Sequence, residues 1–183
     1  MTPLPERLAT AAARRPATLG RGRLVCVDGP AGSGKTTLAT ALATILGGAP
    51  VVHMDDLYPG WDGLPEVGRE VLGLLGPLAD GRPGCYRRYD WYAGRFAEQH
   101  CVAPGPWLVL EGVGSGQSAW AGLTTLLVWV EVPDDLRLQR GIARDGEAER
   151  GHWVRWMADE RAHFVRDGTR ERADVLVDGT SSH

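Results

Sequence analysis

The run Gly29-Pro30-Ala31-Gly32-Ser33-Gly34-Lys35-Thr36 has the spacing G-x-x-x-x-G-K-[ST] of a loop that wraps phosphate. Glycines let such a backbone curl until successive N–H groups point inward, and the positive end of the following helix adds to their pull on an anion. Lys35 is then placed to bridge β- and γ-phosphates, and the Thr36 hydroxyl to face Mg²⁺. Gly29, Ala31, Gly32, Ser33, Gly34, Lys35, Thr36 and Thr37 form the nucleotide-binding set that the motif predicts. Of the 20 basic residues 19 are arginine, Lys35 is the only lysine, and asparagine is absent. The arginine excess, with abundant alanine and glycine, reads as the codon bias of a GC-rich genome. Lysine is a compact point charge where arginine is a planar fork. A chain that has replaced lysine everywhere else keeps one where an ammonium is needed.

Further chemistry belongs at neighbouring strand ends, because ligands of open α/β sheets sit outside the carboxyl edge at the switch point. His53-Met54-Asp55-Asp56-Leu57-Tyr58 follows a short apolar run and puts Asp55 or Asp56 beside the outermost phosphate. A carboxylate there can accept a hydroxyl proton and help hold Mg²⁺. Glu111 closes another apolar run. Arg137, Arg140 and Arg144 are spaced three and four apart, hence on one helix face. A second glycine cluster, Gly112-x-Gly114-x-Gly116, misses the dinucleotide fingerprint because position 117 is Gln; it is expected to be a mobile loop bordering the pocket. Two classes fall away. A Ras-type GTPase reads guanine through Asn-Lys-x-Asp, which a chain with no asparagine and one lysine cannot supply. A hydrolytic motor sets a glutamate beside a Walker-B aspartate, and only Glu111 stands at that strand end.

The elements that must position these groups follow from periodicity. Leu4 to Ala13 reads as a short helix. Leu24 to Val27 is a strand leading into the glycine loop, and Lys35 to Leu46 a helix leaving it. Val51–Val52, Trp107–Leu110, Leu126–Val132 and Val175–Val177 read as strands, the third apolar on both faces as in a buried parallel sheet. Helices are expected over Pro65–Leu78, from Asp134 to about Arg144, and from Glu147 to about Arg166. Strands alternating with helices make a three-layer α/β sheet.

At 183 residues, with no repeat or linker, one domain is expected. The net charge of -3 gives no reason to expect a nucleic-acid backbone or an anionic membrane as partner. Cys26, Cys85 and Cys101 contain no CxxC pair, which argues against both a zinc site and a disulfide framework and suits a reducing compartment. The first twenty residues carry charges and no apolar h-region, so a cytoplasmic protein is expected, monomeric or homodimeric.

Taken in order, Gly29 to Thr36, Asp55-Asp56-Leu57-Tyr58, Tyr89-Asp90-Trp91, Glu111-Gly112 and Arg137-x-x-Arg140-x-x-x-Arg144-Asp145 resemble the pattern of the uridine kinase and phosphoribulokinase-like P-loop kinases. The resemblance implies an α/β, three-layer P-loop kinase fold with a five-stranded parallel sheet and a small helical lid at about 137–150. It implies transfer of the γ-phosphoryl group of ATP, with Mg²⁺, to a hydroxyl of a nucleoside- or sugar-like small molecule. By the same resemblance Asp55 is the base, and Thr36, Asp55 and Glu111 hold the metal. Lys35, Arg140 and Arg144 neutralise charge, and Asp56, Tyr58, Asp90, Trp91 and Arg137 meet the acceptor. One departure stands out: the interval between Asp90 and Glu111 is shorter than in uridine kinases, whose longer insertion reads the base. Tyr58, Trp61, Tyr89, Trp91 and Tyr92 supply aromatic walls instead. Two other functions fit the motifs. Arg69, Arg82, Arg87, Arg88 and Arg95, if convergent, would suit a nucleoside-monophosphate kinase with a phosphate acceptor. A non-catalytic ATP-binding regulatory module is the other.

Overall fold

A strand buried on both faces must divide its side chains between two cores, and the central strand here does so. In the computed structural model, which describes residues 2–180, Leu24 and Cys26 enter one core while Val25 and Val27 enter the other. The chain runs α1 (Leu4–Ala13), β1 (Arg23–Asp28), α2 (Lys35–Ile45), β2 (Val51–His53), α3 (Gly68–Ala79), β3 (Gly84–Asp90), β4 (Arg95–Val102), β5 (Trp107–Glu111), β6 (Leu126–Glu131), α4 (Asp134–Asp145), α5 (Arg150–Asp167), α6 (Thr169–Arg172) and β7 (Val175–Asp178). Five strands form a parallel sheet in the order β2-β5-β1-β6-β7. α1 and α2 cover one face through Leu8, Leu38 and Leu42. On the other face Leu74, Leu75, Trp120 and Trp156 pack over Leu24, Leu110 and Leu127. This is the expected α/β sandwich.

The strand order fixes where chemistry can occur. The chain leaves β1 at the centre of the sheet for β2 at one edge, returns to β5 beside β1, and crosses to β6 on β1's other side. The carboxyl end of β1 therefore lies at the switch point, with Glu111 at the end of β5 in register with Val27.

Two features depart from the sequence expectations. β3 and β4 form a separate antiparallel hairpin packed on α3, where no strands are expected. β4 is exposed along most of its length, so it carries no apolar alternation to read. Within the hairpin Cys85 and Cys101 face each other and form a disulfide, leaving Cys26 as the free, buried cysteine. The expectation of no disulfide is thus corrected, and the cysteine argument for a reducing compartment goes with it. Antiparallel register makes the pair, and spacing rules do not see it. Among the described residues no helix is long and apolar enough to cross a membrane.

Candidate active site

The glycine loop leaves β1 and enters α2 through Gly34, whose left-handed conformation (φ 95°) sits at the helix N-cap. Gly32 holds φ 78° against α4, where an added Cβ would lie 2.8 Å from the Arg137 carbonyl oxygen. No other residue fits both constraints. Lys35 is buried, and its Nζ donates to the Pro30 carbonyl at 2.8 Å, across the loop it belongs to. Ser33 Oγ is buried without a hydrogen-bond partner, and Ser33 does not line the cleft that Gly32, Gly34, Lys35 and Thr36 border. Thr36 Oγ1 donates to Glu111 Oε1 at 3.1 Å.

Glu111 also holds His53. The two stand opposite in the β2–β5 ladder, with Nδ1 and Oε1 2.5 Å apart, and this hydrogen bond raises the imidazole pKa. Asp55 follows in the 3₁₀ turn Met54–Asp56 and faces a cleft of about 750 Å³ shared with Lys35, Thr36, Glu111, Arg140 and Arg144. Water reaches the carboxylate, yet the cleft walls crowd it. Partial desolvation first, then the charge of Glu111, raise its pKa, against the pull of Lys35, Arg144 and His53.

Aromatic groups build the rest of the cleft. Trp91, at the hairpin tip, donates its indole N–H to the Asp55 carbonyl at 2.9 Å. Trp61 meets Trp91 edge-on and stacks on His152 at 5.3 Å. Trp153 and Trp156 of α5 are buried and still present surface to the cleft. Arg140 donates to the carbonyls of Gly32 and Gly179, and Arg144 grips Asp145 through two hydrogen bonds while lying over the Trp153 ring.

Other expected site residues lie elsewhere. Arg137 is 2% exposed and turns beneath the loop, paired with Glu160 and Asp134, so it does not face an acceptor. Arg137 and Arg144 share a helix face, but seven residues advance that face by about 10 Å. The first turn meets the underside of the loop and a later turn meets the cleft. Asp90 spends its Oδ1 on the N–H groups of Tyr92 and Ala93, capping the hairpin turn outside the cleft. Tyr58 lines the cleft by its ring, while its hydroxyl donates to the Val113 carbonyl inside the core. Asp56 lies off the cleft wall, in the electrostatic reach of His53, Arg88 and His100. Thr37 is exposed on α2, and Gly29 is buried at the loop's root. Among the arginines of the phosphate-acceptor reading, none lines the cleft: Arg82 pairs with Asp80, Arg88 with Glu98, Arg87 lies over Phe96, and Arg69 and Arg95 are exposed.

The second glycine cluster, expected as a mobile loop, is hydrogen-bonded to the end of β1. Asp28, fully buried at the end of β1, accepts the N–H groups of Gly29 at 2.7 Å, Gly114 at 2.9 Å and Gly116 at 2.7 Å. One carboxylate thus ties the loop after β5 to the root of the phosphate loop. The sequence signal was an acid closing an otherwise apolar strand. Burial raises the Asp28 pKa to about 6 against the opposing pull of those N–H groups and of Lys35.

The residues present fit a triphosphate and a hard metal ion. A lysine with a backbone carbonyl as its partner and a helix N-terminus converge in one cradle. Thr36, Asp55 and Glu111 offer oxygen alone. Among the described residues no cluster of three or more His, Cys, Asp or Glu could hold a metal by itself. Such a donor set suits an ion like Mg²⁺, which keeps phosphates and waters for the remainder of its shell.

Solved structures described as kinases share this architecture. A protein of Bacillus stearothermophilus described as a possible uridine kinase superposes with a TM-score of 0.68 at 20% identity, over 95% of this chain and 97% of its own. A provisional fructose transport system kinase of Silicibacter sp. gives 0.63 at 21% identity, over 96% and 99%. Shikimate kinase of Bacteroides thetaiotaomicron gives 0.50 at 17% identity, over 86% of each chain. At these identities the likeness establishes the fold. No protein-family model matches the sequence, and no curated protein matches it either.

Proposed function

We propose that the chain is a small-molecule kinase that moves the γ-phosphoryl group of ATP to a hydroxyl of a ring-bearing acceptor that carries no phosphate. The observation that carries this reading is the meeting of Lys35, Thr36, Asp55 and Glu111 in one cleft whose far wall is tryptophan. Asp55 takes the proton of the acceptor hydroxyl, the freed oxygen bonds to the γ-phosphorus, and ADP leaves with the electrons of the broken P–O bond. A carboxylate with a raised pKa is suited to accept that proton. Lys35 and the N–H groups of the loop receive the charge on the leaving diphosphate. A magnesium ion held by Thr36, Asp55 and Glu111 would add charge neutralisation when bound. Arg140 and Arg144 stand on the cleft wall within the segment expected as a lid, where closure would turn their charge toward the phosphoryl group. Among the described residues Arg69, Arg82, Arg87, Arg88 and Arg95 all lie off the cleft wall, which weighs against a nucleotide acceptor.

The test is incubation with ATP, Mg²⁺ and a panel of nucleosides, sugars, hydroxylated vitamins and nucleoside monophosphates, followed by mass spectrometry. A product heavier by one phosphoryl group, made by the wild type and absent with Lys35→Ala, supports the reading. Transfer to monophosphates alone, or to no member of a broad panel, refutes it.

A further inference from the structure

Outside the catalytic cleft a second buried carboxylate, besides Asp28 at the loop's root, touches the phosphate loop directly. Glu160 of α5 is 1% exposed, and its Oε2 accepts the N–H of Ala31 at 2.9 Å. Its other oxygen is paired with the Arg137 guanidinium, equally buried, whose Nε donates to Asp134 at 2.9 Å. The backbone and Cβ of Arg137 press on Gly32, and one turn further along α4 Arg140 donates to the Gly32 carbonyl at 3.2 Å. A buried ion pair is a poor device for stability, because desolvation of both charges offsets their attraction. This pair has another effect that the geometry makes plain: it offers the loop an acceptor at a fixed position.

We propose that Glu160, held by Arg137, is a positioning residue that fixes the Ala31 peptide and so keeps the loop in its phosphate-receiving shape, tied to the helix that carries Arg140 and Arg144. The proposal rests on the kinase reading only in so far as the loop binds a triphosphate; transfer activity is not required. Without the carboxylate the Ala31 N–H loses its partner, and the loop gains freedom that a ligand must remove on binding. Apolar substitution of the pair would leave the fold intact and the loop loose.

Two double variants separate these roles. Arg137→Met with Glu160→Gln removes both charges and keeps an oxygen for Ala31; Arg137→Met with Glu160→Leu removes the charges and the oxygen. Both are expected to unfold at or above the wild-type temperature. ATP affinity, measured by calorimetric titration without acceptor, should stay within about threefold of wild type in the glutamine variant and fall about tenfold or more in the leucine variant, or about 1.4 kcal/mol. The KM for ATP should follow the affinity while the KM for acceptor does not. Equal affinity in the two variants overturns the proposal, as does a loss that tracks unfolding temperature. Should the leucine variant fail to fold, Glu160→Met replaces it in the same comparison. A wild type that does not bind ATP overturns the loop assignment beneath the proposal. A wild type that binds ATP and transfers nothing overturns the kinase reading alone.

Discussion

Replacing Asp28 by Asn tests how a buried acid can be held by backbone alone. A rise in pKa from an ordinary 3.8 to about 6 means that the fold disfavours the ionised form. The contribution to stability is therefore complete below about pH 4 and is lost as pH climbs through about 6. At about 1.4 kcal/mol per pH unit the full loss is about 3 kcal/mol. Asn does not titrate, but it has one oxygen where Asp28 uses two to accept three N–H groups, so at least one N–H is orphaned at a cost of about 1–3 kcal/mol. That cost is the same at every pH. Urea unfolding of both proteins from about pH 4 to about pH 8 separates the two effects, because all other titrations cancel in the difference while the m-value remains constant. Asp28→Asn should gain on the wild type by about 2–3 kcal/mol across that window, whatever its offset. A difference that stays flat, or that moves against the variant as pH rises, would show that the amide cradle outweighs burial and that Asp28 is ionised throughout.

Gly112→Ala places a Cβ 2.6 Å from that of Met54 at a φ of 126°, and should cost about 1–3 kcal/mol, read as a lower midpoint in thermal unfolding. Joint replacement of Cys85 and Cys101 by Ser opens a crosslink spanning 16 residues and should remove at most about 3 kcal/mol, with faster proteolysis confined to the hairpin. For transfer activity, Asp55→Asn should lower kcat by about 10²–10⁴ with little change in the KM for ATP.

The core of the fold was legible because its signals are local and repeated. Leu24 to Val27, the glycine loop and Lys35 to Leu46 announce strand, loop and helix in turn, and the structure places them so within a residue or two. The hairpin was not legible, since β4 rests one face on little and shows water the other. Arg137 was misplaced for a geometric reason: spacing gives a helix face but not what lies opposite each turn. Glu160 left a signal that was passed over. It falls on the stripe Trp153, Trp156, Glu160, His163, all buried, where a carboxylate among aromatic residues at steps of three and four requires a partner. Asp28 carries the same lesson.

The solitary lysine gives the molecule a built-in reporter. With its Nζ resting on the Pro30 carbonyl and only 7% of its surface open, Lys35 can be acylated by an amine-seeking reagent only from inside the cleft. No other side chain carries an amine: the remaining basic groups are guanidinium and imidazole. The extent of side-chain labelling therefore counts empty cradles directly, one modification per vacant molecule, and any compound that fills the cradle can be ranked by how far it slows that single reaction.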